Sequence, residues 1–365
     1  MHHRAELPTH TESGAQLGGV QNSAPRAICS NLELAYEEHQ AHDAICDFLD
    51  KQGFTVTRHA YGVDTSFECI TGTEGRLVNL NADYDALPGI GHACGHNRIA
   101  TSSIAAFLAE LVSINGNIVG TPSDGVAGIL MNARKELFVE YFGKIAHAGG
   151  NPWEGVNALD ALITAYNGIS TLRQQILPDE RIHGAFLDVP KVANVILAYA
   201  KSYWQIRSPT LNQLNKLITR VRLCIEGAAV VTGCTIYGNR EGLYTDIVLN
   251  DVLCQRYTKH MAASGRSVIE KYEKPLTGSS DVGEFSNGYY VAPTLHSMFA
   301  IPAPAGFFPH HPYFTACAGT DEAHEEGIAV GKGLALLGWE MLSDEKLFTR
   351  TKSRWKSRLL TKLDE

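Results

Sequence analysis

Between residues 79 and 97 the chain sets Asp83, Asp85, His92, Cys94 and His96 behind an apolar, strand-like approach and ahead of an apolar, helix-like run. Thiolate and neutral imidazole both bind zinc-like ions, and Cys94-Gly95-His96 puts one of each on a tight loop hinged by Gly89, Gly91 and Gly95. A donor loop between a strand and a helix belongs to an α/β arrangement, where sites form at the C-terminal ends of strands. The rest of the fold must bring the remaining donors to this loop.

The periodicity elsewhere agrees with an α/β chain. Apolar residues recur at helical spacing over 28–53, with Gly53 as the C-cap, and β-rich runs follow at 54–59, 66–71 and 76–82. Asn97 then caps a long apolar helix over 98–113. From residue 136 the texture changes. A strand at 137–143, a helix at 155–172, strands within 192–208, a helix at 209–226 and a strand near Thr235 give the β-α-β-β-α-β order of a small two-layer domain. Helical, apolar text resumes over 248–345, so the expected organisation is a first domain at 27–136 and 246–348 around an insert at 137–245. Residues 1–26 are polar and Gly-rich and expected to be disordered, and 349–365 form a basic tail, expected as a solvated helix.

With 365 residues, 44% of them hydrophobic, the chain is long enough for two cores. A formal charge of -8, without basic and aromatic interleaving, argues against nucleic acid as a partner. No apolar run reaches transmembrane length and the opening residues lack a signal-peptide core, so no membrane partner and a cytoplasmic location are expected. The eight cysteines lie scattered in apolar patterns and read as reduced core residues, Cys94 excepted.

Dispersed strings then carry a resemblance: Asn31-Leu32-Glu33-Leu34-Ala35-Tyr36-Glu37-Glu38, the 81–97 run, Gly143-Lys144-Ile145-Ala146-His147-Ala148, Pro152-Trp153-Glu154-Gly155-Val156-Asn157-Ala158-Leu159-Asp160, Gly278-Ser279-Ser280-Asp281-Val282-Gly283 and Ala318-Gly319-Thr320-Asp321-Glu322-Ala323. In this order they resemble the M20 family of metallopeptidases and amidohydrolases, in its amidohydrolase branch. The resemblance implies a catalytic α/β sheet domain with a divalent metal pair, zinc or manganese, and an inserted α+β lid that makes a homodimer. It implies hydrolysis of an amide bond in a small dipeptide or N-acyl amino acid. By position, Cys94, His96 and His310 resemble metal ligands, with His311 as the neighbouring alternative to His310, and Asp85 resembles the carboxylate behind the ligand loop. His147 resembles the histidine that reaches across the dimer to polarise the scissile carbonyl. Asn194 and Arg207 resemble the lid residues that grip a substrate carboxylate.

The chain also departs from this pattern. In this branch a Gly-Thr-Pro string is followed by Ala-Glu-Glu, a general base and then a ligand, whereas this chain reads Gly120-Thr121-Pro122-Ser123-Asp124-Gly125. Asp124 stands where the base belongs, one methylene shorter, and Pro-Ser-Asp-Gly also favours a turn for local reasons. Gly125 offers no ligand, and the histidine and strand expected before the lid are missing, so one sheet segment is lost and occupancy falls to one ion or none. Two expectations therefore stand together: a metal-dependent hydrolase, or an inactive relative that keeps the fold and binds a small molecule or regulates a partner.

Overall fold

The computed structural model describes residues 28, 30–108, 117–118, 123–240, 242–272, 275–286, 292–304 and 309–364. In chain order the elements are α1 (His39–Lys51), β1 (Val56–Arg58), β2 (Phe67–Cys69), α2 (His96–Leu108), β3 (Asn117–Ile118), β4 (Gly125–Val126), β5 (Ala133–Phe142), β6 (Ala146–His147), α3 (Ala158–Leu172), β7 (Arg181–Asp188), β8 (Val195–Ile196), β9 (Tyr199–Ser208), α4 (Leu211–Thr232), β10 (Thr235–Arg240), β11 (Leu243–Tyr244), α5 (Asp251–Ala263), β12 (Val268–Ile269), α6 (Val282–Ser286), β13 (Met298–Ala300), α7 (Pro312–Ala318), α8 (Asp321–Ser343) and α9 (Glu345–Asp364). They form two compact units: Met1–Ile129, Leu249–Glu273 and Pro293–Arg358 make the first, and Leu130–Val248, Lys274–Ala292 and Leu359–Glu365 the second.

The first unit is built around α2, whose residues from Asn97 to Ala106 are all buried. A helix buried all round needs close neighbours. At Gly331 of α8 an added Cβ would lie 2.8 Å from Ser102 O and 2.9 Å from Ala105 Cβ, so the missing side chain sets how closely the two helices approach. The unit's sheet runs β12-β4-β13-β3, with β12 parallel to β4, β13 antiparallel to β4, and β13 parallel to β3. Its core gathers Tyr257, Phe299, Phe314, Leu334 and Leu337.

Three sequence expectations change here. Among the described residues the run at 76–82 joins no ladder, although Val78 and Leu80 lean on the apolar core. Its composition suits a half-buried sheet position, yet a strand exists only where a partner supplies hydrogen bonds. Asn97 lies inside α2 and is no cap, because the helix starts one residue earlier at His96; of the helix expected to Ser113, residues 109–113 lie outside the described residues. The basic segment at 349–365 is not a solvated helix. It is part of α9, which buries Thr351 and Trp355 while Arg354 and Arg358 bond the Asp251 carboxylate at 2.6 and 2.8 Å.

In the second unit the sheet order is β10-β5-β9-β7, with β11 also on β5 and every pairing antiparallel. Strict alternation along β9 separates a buried set, Ala200, Ser202, Trp204, Ile206 and Ser208, from a half-open set, Tyr199 to Arg207 at odd positions. The buried set packs with Leu162 and Ile169 of α3 and Leu217 and Val221 of α4. Gly184 of β7 sits opposite Trp204, and a Cβ there would fall 2.4 Å from the indole ring. Together these elements give the β-α-β-β-α-β order read from the sequence, in an insert that interrupts an α/β unit. Strand β7 was hidden in the sequence because Gly184 and the adjacent exposed Phe186 and Leu187 break its alternation.

Candidate metal centre

The donor loop is shaped by three left-handed glycines, Gly89 (φ 75°), Gly91 (67°) and Gly95 (76°), a conformation that side chains with a Cβ resist. His92, buried behind the loop, bonds Ile28 O through Nε2 at 2.9 Å and fixes the turn from below. Cys94 and His96 then emerge half-buried at the start of α2.

The Cys94 Sγ lies 3.0 Å from His310 Nε2, a contact between residues 216 positions apart. Several bonds hold the two segments together. His310 N–H donates to Ala93 O at 2.8 Å, Thr315 Oγ1 to Ile90 O at 2.8 Å, and Asn97 Nδ2 to Ala318 O at 3.0 Å. The buried Arg98 donates Nε to the same Ala318 carbonyl and Nη2 to Thr320 O at 3.0 Å. His310 is left-handed, with φ 75°, a strained state that persists where the surroundings over-determine it and that is common at functional sites. His311 plays a different part, since its Nδ1 accepts Tyr313 N–H at 3.2 Å and caps α7.

His96 Nδ1 sits 2.6 Å from Asp85 Oδ1, which orients the ring, and His96 also bonds Cys94. Burial pushes the His96 imidazolium down, but the bonds to Asp85 and Cys94 outweigh it and hold the group well above its ordinary range. Burial likewise raises the Asp85 carboxyl, and the hydrogen bond from His96 more than offsets this and lowers it. A thiol and two imidazoles, one of them oriented by a carboxylate, suit a divalent ion by donor type. Among the described residues, however, no three His, Cys, Asp or Glu side chains stand as a preformed cage.

Asp124 does not join these donors. Its Oδ2 accepts Ser267 N–H at 2.6 Å, and its backbone bonds Ser267 O at 2.8 Å and Ala300 N–H at 2.9 Å, so the residue ties β4 to its neighbours. At Gly125 a Cβ would lie 2.4 Å from Met298 O and 3.0 Å from Phe299 Cα, both backbone atoms of β13. Where the branch has a ligand glutamate, this chain has no room for a side chain. The string Gly120-Thr121-Pro122 lies outside the described residues.

In the second unit, His147 is exposed and its Nδ1 accepts two backbone N–H groups, from Gly149 at 3.1 Å and Gly150 at 3.0 Å. An accepting Nδ1 places the proton of the neutral ring on Nε2, which makes that atom a donor. The pairing of β6 with β8 sets His147 opposite Val195, and Ala148 N–H bonds Asn194 O at 3.1 Å, so His147 and the exposed Asn194 share one two-stranded ladder. Arg207 donates Nη1 to Ser279 Oγ at 3.0 Å and Nη2 to Gln205 Oε1 at 3.1 Å. Burial and the nearby Arg134 lower its affinity for its proton. The sequence reading missed Arg98, whose clamp on backbone carbonyls more than 200 residues away leaves no local pattern, and Arg134, which stacks on Tyr244.

No family model matches the chain. It is 32% identical to the Xaa-Arg dipeptidase of Mus musculus over 95% of this chain and 90% of the relative. That alignment runs to 398 positions, more than the 365 residues here, so the relative carries residues for which this chain has no counterpart. The fold matches the aminobenzoyl-glutamate utilization protein of Klebsiella pneumoniae with a TM-score of 0.71 at 16% identity, over 92% of this chain and 100% of that one. It also matches a Bacillus subtilis protein described as a dinuclear metal-binding peptidase of the M20 family, with a TM-score of 0.60 at 15% identity, over 90% and 99%. No helix among the described residues is long and apolar enough to cross a membrane. With near full-length similarity to a dipeptidase, an α/β unit interrupted by a β-α-β-β-α-β insert, and Cys94 meeting His310, the chain belongs to the M20 family of metallopeptidases and amidohydrolases.

Proposed function

We propose that this chain is a metal-dependent amidohydrolase of dipeptidase type, acting on a small dipeptide or N-acyl amino acid in the cytoplasm. The observation that carries the reading is the 3.0 Å approach of Cys94 Sγ to His310 Nε2 beside a His96 oriented by Asp85. The name of the mouse relative supports the substrate class. Cys94, His96 and His310 would hold a divalent ion, zinc or manganese. When bound, such an ion supplies electrophilic polarisation of the carbonyl and makes water more acidic.

The chain's own residues do the rest. Asp85 keeps His96 oriented. In this reading residues 137–245 act as a lid on a catalytic domain formed by 27–136 and 246–348, and pair it with a second copy. The exposed edge strand β7, with Phe186 and Leu187, supports such pairing. His147 Nε2–H donates to the oxygen that gains charge, and Asn194 and Arg207 grip the substrate carboxylate. Asp124 takes a proton from water only by releasing Ser267 N–H.

A second reading, an inactive relative that binds a small molecule without turning it over, is favoured by the closed space at Gly125 and the engaged Asp124 carboxylate. Elemental analysis of the purified protein beside Cys94→Ala and His310→Ala, with dipeptide hydrolysis assayed in parallel, separates the two. Bound metal that both substitutions remove, with turnover, supports the hydrolase. Metal without turnover selects the inactive relative, and a folded wild-type protein free of metal overturns the hydrolase reading.

A further inference from the structure

On the half-open face of the second unit's sheet, one cross-strand row is cationic on three successive strands. Arg207 of β9 is directly opposite Arg134 of β5 on one side and Arg181 of β7 on the other. Directly opposed residues of antiparallel strands project from the same face, where like charges repel. The next open-face row sets His183 opposite Gln205, whose other neighbour is Glu136. Burial lowers the proton affinity of His183, and Arg207, Arg181 and Arg173 lower it further, which marks the field there as positive.

Counter-charge is scarce among the described residues at this end of the sheet. Glu136 lies 3.3 Å from Arg134 and also accepts Tyr203 OH at 2.7 Å and Gln205 Nε2 at 3.3 Å. Glu180 is spent on Leu177 N–H and on Ser208 Oγ, and Ser208 belongs to the opposite, helix-covered face. Arg134 stacks on Tyr244, with its guanidinium carbon 4.1 Å from the ring centroid. Arg181 bonds the carbonyls of Pro178 and Glu180, and Arg207 bonds Ser279, Thr277 O and Gln205. These partners are mostly neutral. They fix the guanidinium groups in place and leave most of their charge unanswered.

We infer that this arginine row selects a substrate whose residue beside the cleaved amide is a dicarboxylate, as in an acyl- or aminoacyl-glutamate, and disfavours a cationic residue at that position. The inference rests on the hydrolase reading, in which Arg207 holds one carboxylate; Arg134 and Arg181 flank it and answer the second. It separates this chain from the mouse relative, whose name specifies arginine at that position.

The test compares hydrolysis of Ala-Glu, Ala-Leu and Ala-Arg by the wild type, Arg134→Met and Arg181→Met, with glutarate, glutamate and arginine titrated calorimetrically into each protein. Wild-type kcat/KM is expected to favour Ala-Glu over Ala-Arg by about ten- to a hundredfold, the worth of one hydrogen bond to a charged group. Either substitution should narrow that ratio by raising KM for Ala-Glu more than for Ala-Leu. Arg181→Met, at the exposed strand edge, guards against a fold defect in Arg134→Met. Hydrolysis that prefers Ala-Arg, or a ratio untouched in both variants, overturns the inference and leaves the hydrolase reading standing. If nothing is hydrolysed, the hydrolase reading fails by itself; glutarate binding that weakens in both variants then still supports dicarboxylate selection, and equal binding of glutarate and arginine overturns it.

Discussion

Gly125 is the position at which the chain parts most sharply from its branch, and substituting it tests whether the departure is built into the packing. In Gly125→Ala the new Cβ meets Met298 O at 2.4 Å and Phe299 Cα at 3.0 Å. Neither obstacle is a side chain that can swing away, because both are backbone atoms of β13, the strand antiparallel to β4. Strand β13 must therefore retreat, and Phe299, only 1% exposed, moves with it. Overpacking of this kind costs about 1–3 kcal/mol, and rigid obstacles put it at the upper end. With a urea dependence of about 2 kcal/mol per molar, the midpoint falls by roughly 1–1.5 M. Equilibrium unfolding in urea measures it: Trp355, buried in the first unit, reports that unit, and Trp204 reports the second, whose transition should stay in place. An unchanged Trp355 transition refutes the steric argument. So does Gly125→Glu if it folds normally and gains a metal equivalent, since the lost ligand position would then be open.

Two further outcomes follow from buried groups. His296 is 1% exposed, and burial holds its imidazole down at about 4, well below the ordinary value, although a bond to Ile129 O opposes this. Between that value and about 6.5 the unfolded chain binds a proton that the folded chain refuses, so stability rises with pH across this window and falls on acidification by up to about 3 kcal/mol. Urea midpoints at pH 7 and pH 5 should differ in the wild type, and the difference should shrink in His296→Gln. Trp355→Ala should cost about 3–5 kcal/mol as a large buried aromatic and release α9; faster proteolysis after Lys346 or Arg350 would report it, and wild-type resistance would contradict the docked helix.

The parts of the fold that the sequence disclosed are those whose cause is local. Alternation over 137–143, strand text within 192–208 and helical spacing between them announced the insert, because one face of each element is buried and the other is not. Cys94-Gly95-His96 disclosed a donor loop because the residue types themselves carry the chemistry. What stayed hidden depends on distant partners. The 76–82 run has strand composition and no ladder among the described residues, and β7 is a strand without clean alternation. Of the adjacent His310 and His311 the resemblance favours His310, and the structure separates them physically: His310, in a left-handed backbone, meets Cys94, and His311 caps a helix. Asp124 stands at the base's position, but its Pro-Ser-Asp-Gly setting already favours a turn, and by contact it ties β4 to Ser267.

The 216-residue separation of Cys94 and His310 also bears on the order in which the chain folds. Closing a loop that long in a random chain is entropically expensive, although each doubling of length adds only about 0.6 kcal/mol. The insert lies within the loop, and each of its sheet pairings closes a shorter loop than the donor pair does, which favours its forming first. Once it is folded, it spans that stretch as a compact body and shortens the flexible chain left to close. The donor pair is then among the last contacts made, and a ligand that bridges it would act as a latch on a finished fold rather than a nucleus for it.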